Sequence, residues 1–244
     1  MARANTLERN PLSRGKLARI PPRSTGTVTR IVEGALELLN RPDGGAVTTN
    51  HIAAHLGMSP GNLYYHFRNR EEIVRAMFPR IEAEGLAATA PPSGPRLTAH
   101  EFGERHLQGL HTLWRYRFFF RDLNQLVARD VRLAEEYRDY QRRLQTQYRG
   151  LFELLIAQGS MRAPEPADDL DRIVAVSIVV WANWIPHLIA LRPRREITRP
   201  DVVEGALHSF LVVAPLLERR FAAEARGVIE RYDGSRASEP GSAG

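Results

Sequence analysis

The sequence predicts an all-α protein: a small N-terminal three-helix head joined by a fourth helix to a larger helical bundle. Two observations carry this. Apolar residues recur at three- and four-residue spacing through most of the chain, while no segment alternates convincingly at period two. The helical runs are punctuated by stretches such as "NRPDGG" and "ATAPPSGPR" and by prolines at 164, 166, 193 and 200.

Residues 1–23 carry Pro11, Gly15, Pro21 and Pro22 and no sustained periodicity, which predicts a disordered arm. The arm is basic. Within residues 1–30, Arg3, Arg9, Arg14, Lys16, Arg19, Arg23 and Arg30 stand against Glu8 alone. Seven minus one is +6, the same as the net charge of the whole chain, 34 Lys+Arg against 28 Asp+Glu. Basic arms of this kind suit phosphate polyanions; a solvated tail without a role is the plain alternative. Cysteine is absent, which excludes disulfides and thiolate metal sites and is compatible with a reducing cytoplasm. No apolar signal region opens the chain, so a secretory leader is not expected.

The head is expected over residues 24–80. Its first helix shows Val28, Ile31, Val32, Ala35, Leu38 and Leu39 as one stripe. Thr48 caps the second, where Val47 and Ile52 can close as a hydrophobic staple, and Gly57 suits the left-handed position after it. In "GMSPGNLYYHF", Ser59 is the next cap and Pro60 takes the first helical position, where its missing N–H costs nothing. Leu63 and Phe67 share the rear face of this third helix. Gly61, Asn62 and Tyr65 then lie in front, flanked by Tyr64 and His66. A B-DNA major groove about 12 Å wide admits such a helix, and a glycine at the tip allows close approach to base edges. Asn62 is suited to an adenine edge and Tyr65 to a thymine methyl, with Tyr64 and His66 placed to reach phosphates. Two helices joined by a tight glycine turn form a helix-turn-helix, the second reading sequence. A fourth helix is expected from about residue 69 to 85.

The run "VTTNHIAAHLGMSPGNLYYHFRNREEIV" resembles the head of the TetR family of bacterial transcriptional regulators over about residues 25–80. The resemblance implies a DNA-binding head and a helical C-terminal domain that binds an effector and dimerises. By position it implies DNA contacts from Thr49, Asn50, Pro60, Gly61, Asn62, Tyr64, Tyr65 and His66, and a phosphate contact from Arg70. Gly61 departs from relatives that often place a base-reading side chain there, and the basic arm is longer than usual. "YRFFFRDLNQLVARD", residues 116–130, is similar to a stretch in one subgroup of these regulators.

Residues 81–230 are expected to form the effector-binding and dimerisation domain, with helices near 97–113, 117–128, 131–158, 168–191 and 199–228. Residues 231–244 read as a disordered polar tail. The segment 173–191 is about long enough to span a bilayer. Ser177, Asn183, Pro186 and His187 interrupt it, which favours a buried helix or a dimer interface. The helices at 168–191 and 199–228 are expected to form a four-helix interface with a second copy. His111, Trp114, Phe118, Tyr148, Asn183, Trp184 and His187 are candidates to line an effector pocket, core filling being the competing role for each.

Catalytic signatures are missing: the sequence holds no Gly-x-Ser-x-Gly, Walker loop or Gly-x-Gly-x-x-Gly. His51 and His55 are four apart without an acidic residue between them, so a solvated or phosphate-facing role is expected rather than zinc. No enzyme activity, catalytic residue, metal or cofactor is expected. The reading is a cytoplasmic homodimeric regulator, most simply a repressor released from a palindromic operator by an apolar or amphipathic effector. The alternative is a ligand-binding or interaction protein whose head no longer reads sequence.

Overall fold

The computed structural model describes residues 25–193 and 197–232 of the 244. The arm at 1–23 and nearly all of the tail at 231–244 lie outside the described residues. Among those residues there are ten α-helices and no strand: α1 Thr25–Leu39, α2 Thr49–His55, α3 Pro60–His66, α4 Arg70–Ala87, α5 Ala99–Arg115, α6 Arg117–Arg129, α7 Val131–Ala157, α8 Asp169–Leu191, α9 Arg199–Val213 and α10 Arg219–Glu230.

α1, α2 and α3 close over a core of Ile31, Ala35, Leu39, Ile52, Ala53 and Leu63, each fully buried. α4 seals this core from below with Ile73, Val74 and Met77. It then runs on unbroken to Ala87, so its second half belongs to the bundle. α5 is the central strut of that bundle, packed on α10, α9, α8 and α4. Notches make this possible: a methyl on Gly103 would meet the Ala225 carbonyl, and one on Gly109 would run into the Trp181 indole.

The single helix expected over 199–228 is two helices. Pro215, without an N–H to donate, sits in a 3₁₀ turn at Ala214–Leu216. The chain then leaves helical geometry to bond the α7–α8 connection, with Arg162 N donating to Leu216 O at 2.7 Å and Glu218 N to Ser160 O at 2.8 Å. The Glu218 carboxylate accepts from the amides of Arg220 and Phe221 and starts α10.

α8 has the length and apolar composition of a membrane span. The expectation for it is a buried helix or a dimer interface, and within the single chain one face is covered. Leu170, Val174, Ile178, Ile185 and Leu188 are buried, whereas Val176 and Val179 are 49% and 59% exposed. Leu211 on α9 is 53% exposed. α8 and α9 pack on each other, so these bare residues belong to one helical pair.

Candidate nucleic-acid interface and effector cavity

Both short helices of the head are held by their ends. Thr48 caps α2, its hydroxyl accepting from His51 N, while Thr48 N donates back to His51 Nδ1 at 3.3 Å. An imidazole thus does the work a glutamate does in the usual capping box. His55 pairs with Glu37 at 2.9 Å. Both histidines are exposed, as a solvated role requires, and each also has a local structural partner. Gly57 adopts φ +63°, a left-handed turn that a side chain would strain. Ser59 accepts from Asn62 N at 3.2 Å, and Pro60 follows at the first turn of α3.

α3 is anchored by Leu63, fully buried, and by Phe67 at its C-cap. Pro60, Gly61, Asn62, Tyr64 and Tyr65 are exposed, and so is Asn50 on α2. Half-buried Thr49 shares a 3.0 Å hydrogen bond with the Tyr64 hydroxyl, tying α2 to α3 at the surface. A Cβ added to Gly61 would meet nothing within 4 Å, so the tip of α3 is open.

Two residues depart from expectation. His66 is not on the front: it is 6% exposed, with Nδ1 buried and unpartnered and its ring against the edge of Tyr65. The geometry is simple. Three residues after Leu63, at about 100° each, bring His66 round to within about 60° of the buried side. Arg70 does not stand out toward solvent either. Its side chain is 18% exposed and lies 4.0 Å from Asp122 on α6, drawn to the body by a carboxylate. Arg68, which sequence reading passed over, is the exposed arginine just beyond α3.

The head is clasped to the body at the end of α1. Asn40 donates to Arg115 O at 2.8 Å and accepts from Phe118 N at 3.2 Å. Arg121 donates to the carbonyls of Leu39 and Arg41 and is gripped by Asp122 at 2.8 Å. Asp122 therefore faces α1 through Arg121 and α4 through Arg70. Farther along α4, Arg75 pairs with Asp130 at 3.2 Å and Glu84 accepts from the Tyr116 hydroxyl at 2.7 Å.

The bundle encloses a cavity of about 30 Å³ between α4, α5, α7, α8 and α9. Gly85, Ala88 and Thr89 line it from α4 and the turn after it; Phe102, Arg105 and His106 from α5; Leu144, Tyr148 and Leu151 from α7; Ile178 and Trp181 from α8; and Ser209 from α9. Tyr148 is the only one of the expected pocket residues among them. His111 packs on Tyr232, with burial lowering its pKa. Trp114 is 40% exposed under Arg117, and Phe118 is core. Trp184 fits the notch at Gly205, donates to Asp201 O at 2.7 Å and stacks on His208, with His187 beside it. Asn183 is exposed and lines a separate groove of about 210 Å³ with α6 and α7. Spacing correctly put Asn183 and His187 on one face of α8; that face is the bare one.

The cavity wall carries polar groups the sequence did not single out. Arg105 donates to the carbonyls of Ala88, at 3.3 Å, and Ala90, at 2.7 Å, where α4 ends. Burial lowers its pKa. Burial pushes the Tyr148 hydroxyl up to about 12, while the Ser209 hydroxyl is buried without a partner and the Ser177 hydroxyl donates to Ile173 O at 2.8 Å. His106 is wholly interior; desolvation pulls its pKa down to about 4, so the ring is neutral near pH 7. Among the described residues no cluster of His, Asp and Glu has the makings of a metal site.

Residues 31–77 match the family described as bacterial regulatory proteins, tetR family. Residues 80–224 match the family described as bacterial transcriptional repressor. A TetR-family regulator from Marinobacter aquaeolei VT8 is 30% identical, with a TM-score of 0.73 over 84% of this chain and 98% of that one. A regulator from a Rhodococcus species is 13% identical (TM-score 0.59, 80% of this chain and 100% of that one). AmtR of Mycobacterium smegmatis is 20% identical (TM-score 0.57, 87% and 96%). These two share the fold. No curated protein matches the sequence.

Proposed function

Given that the chain belongs to the TetR family of bacterial transcriptional regulators, DNA-binding proteins rather than enzymes, we propose that it is a cytoplasmic homodimeric repressor, released from a palindromic operator when a small apolar or amphipathic molecule enters the α4–α9 cavity. The observation that carries this reading is α4 itself. One helix supplies Ile73 and Met77 to the core beneath α2 and α3, and Gly85 to the cavity wall, with Ala88 following at its C-cap. A cavity of about 30 Å³ is far below the roughly 150 Å³ that holds benzene in an engineered protein interior. A ring-sized guest therefore has to push the wall outward, and α4 is the part of the wall that leads to the head.

Thr49, Asn50, Pro60, Gly61, Asn62, Tyr64 and Tyr65 are the proposed DNA-facing set, with Arg68 on phosphate in place of Arg70 and His66. The basic arm adds phosphate contacts. The bare face of α8 and α9 takes the second copy, which sets two heads about 34–36 Å apart for a two-fold site.

The test is selection of bound fragments from random DNA, followed by binding of the recovered site with and without competitor DNA. A palindromic site should emerge, and Tyr65→Ala should cost about 1–3 kcal/mol per half-site while the dimer stays folded. Binding that is sequence-blind and abolished by salt would mean that the head has lost its reading role.

A further inference from the structure

We infer that the cavity selects an uncharged guest carrying a hydroxyl group, and that His106 is the residue that reads it. This deepens the proposed regulatory function and rests on the cavity being the effector site.

His106 Nδ1 lies 2.9 Å from the carbonyl oxygen of Phe102, one turn earlier on α5. A carbonyl can only accept, so Nδ1 carries the proton and Nε2 presents a lone pair. His106 lines the cavity, and its Nε2 is buried without a hydrogen-bond partner. Phe102 and Phe210 pack edge-on around the ring, at 4.7 and 5.9 Å between centroids, and fix its plane. An acceptor left unmet in apolar surroundings is costly, and a guest that brings an O–H removes that cost.

Two neighbouring polar groups are engaged elsewhere: Thr89 donates to Gln147 at 3.0 Å, and Arg105 to two carbonyls at the end of α4. The Ser209 hydroxyl also lines the cavity without a partner and, like any hydroxyl, offers a guest a second polar contact beside His106. Trp181 and Phe102 supply flat apolar wall. A carboxylate would meet the His106 lone pair with its own negative charge. The Arg105 Nη1 donors are committed to the carbonyls of Ala88 and Ala90. The ring could become a donor only by taking a second proton, which its burial opposes. A hydrocarbon fits the walls and leaves Nε2 unmet. A phenol or alcohol does both jobs.

The experiment uses the full-length protein and three probes: phenol and toluene, matched in size, and the slightly larger anion benzoate. Calorimetric titration should give phenol at least a tenfold advantage over toluene, in which a methyl replaces the hydroxyl, and no measurable binding of benzoate. In His106→Leu the advantage should fall below threefold through loss of phenol affinity. His106→Phe, which keeps a ring without an acceptor, should do the same if the leucine variant fails to fold. Equal binding of toluene or benzoate, no binding of phenol, or an undiminished preference in either variant overturns the inference. Operator affinity is read separately, by fluorescence anisotropy. Selective phenol binding that leaves operator affinity unchanged supports the reading of His106 and refutes the effector role. Release of DNA by a different molecule, with no phenol preference, does the reverse.

Discussion

Gly61→Ala is expected to stabilise the protein and to weaken its grip on DNA. Gly61 is the second residue of α3, and its φ is not in the left-handed region. An added Cβ has open space around it, with no heavy atom within 4 Å. The substitution therefore brings no clash and restores helix propensity, about 0.5–1 kcal/mol in a helix interior. At the first turn of a seven-residue helix the lower figure applies. About 0.5 kcal/mol corresponds to a rise in Tm of roughly 1–2 °C for a chain of this size. The same open space is where a base edge comes if the tip of α3 enters the groove. A methyl there holds the helix off its contacts. A loss of about 1.4 kcal/mol per head is tenfold, and two heads make it about a hundredfold. Thermal melts and anisotropy titrations on the selected operator, at one fixed salt concentration, read the two effects. Higher Tm with operator affinity unchanged within twofold would refute the placement of α3 tip-first against the bases. A lower Tm would refute the helical account of Gly61.

Val179→Asp puts a charge on the bare face of α8, where Val179 is 59% exposed in the single chain. Sedimentation should show monomers, and operator affinity should fall at least a hundredfold with helicity retained. Asp122→Ala removes the carboxylate that grips Arg121 at 2.8 Å and faces Arg70 at 4.0 Å. Denaturant unfolding should show a loss of roughly 1–3 kcal/mol, from leaving a partly buried guanidinium without its countercharge. For His106, the folded pKa of about 4 lies below the ordinary 6.5, so the unfolded chain binds the extra proton first. Its contribution is intact above pH 6.5 and is lost as pH falls toward 4, by about 2 kcal/mol at pH 5. His106→Leu should flatten the wild-type stability profile over that window by about this amount; identical pH slopes would contradict it.

The head was legible because its signals are local. A cap, a left-handed glycine and two residues four apart act within one or two turns of chain, and each can be read without knowing what lies across from it. Ser59, Gly57 and Leu63 behave as their neighbours in sequence require. The misreadings arise where a distant segment decides. Arg70 faces inward because Asp122, 52 residues on, is there to receive it. His66 was placed on a wheel as though the boundary between front and back were sharp, whereas three residues after Leu63 falls on the sheltered side. The pocket was harder still. Periodicity marks a helix face as apolar without naming its partner, and five helices meet at this cavity. A usable signal existed in the glycines: Gly109 and Gly205 are notches cut for Trp181 and Trp184, so one indole turns to the cavity and the other to α9.

On the proposed function, the same long-range contacts offer a route from the cavity to the head. Pushing α4 away from Tyr148 and His106 cannot simply bend its far half outward, since Gly85 lies tight against the Tyr140 hydroxyl and Arg105 ties the helix end to α5. Displacement must pass toward the N-terminal half, past Arg75 on Asp130 and on to Arg70 beside Asp122. There it meets a second constraint, because α1 is fixed to α6 through Arg121 and to the α5–α6 corner through Asn40. With α1 held and α4 driven, the plane between them has to shear; α3 packs on α2, which packs on α1, and is pulled from its other end by the short turn from Phe67 to Asn69, the cap of α4. A guest need shift the equilibrium only by its preference for the sheared arrangement, and about 2.7 kcal/mol of such preference is already a hundredfold change in operator occupancy. On the proposed function, the clasp on α1 is what would turn swelling of the cavity into rotation of the recognition helix. Without it the head would ride rigidly on α4 and keep its geometry.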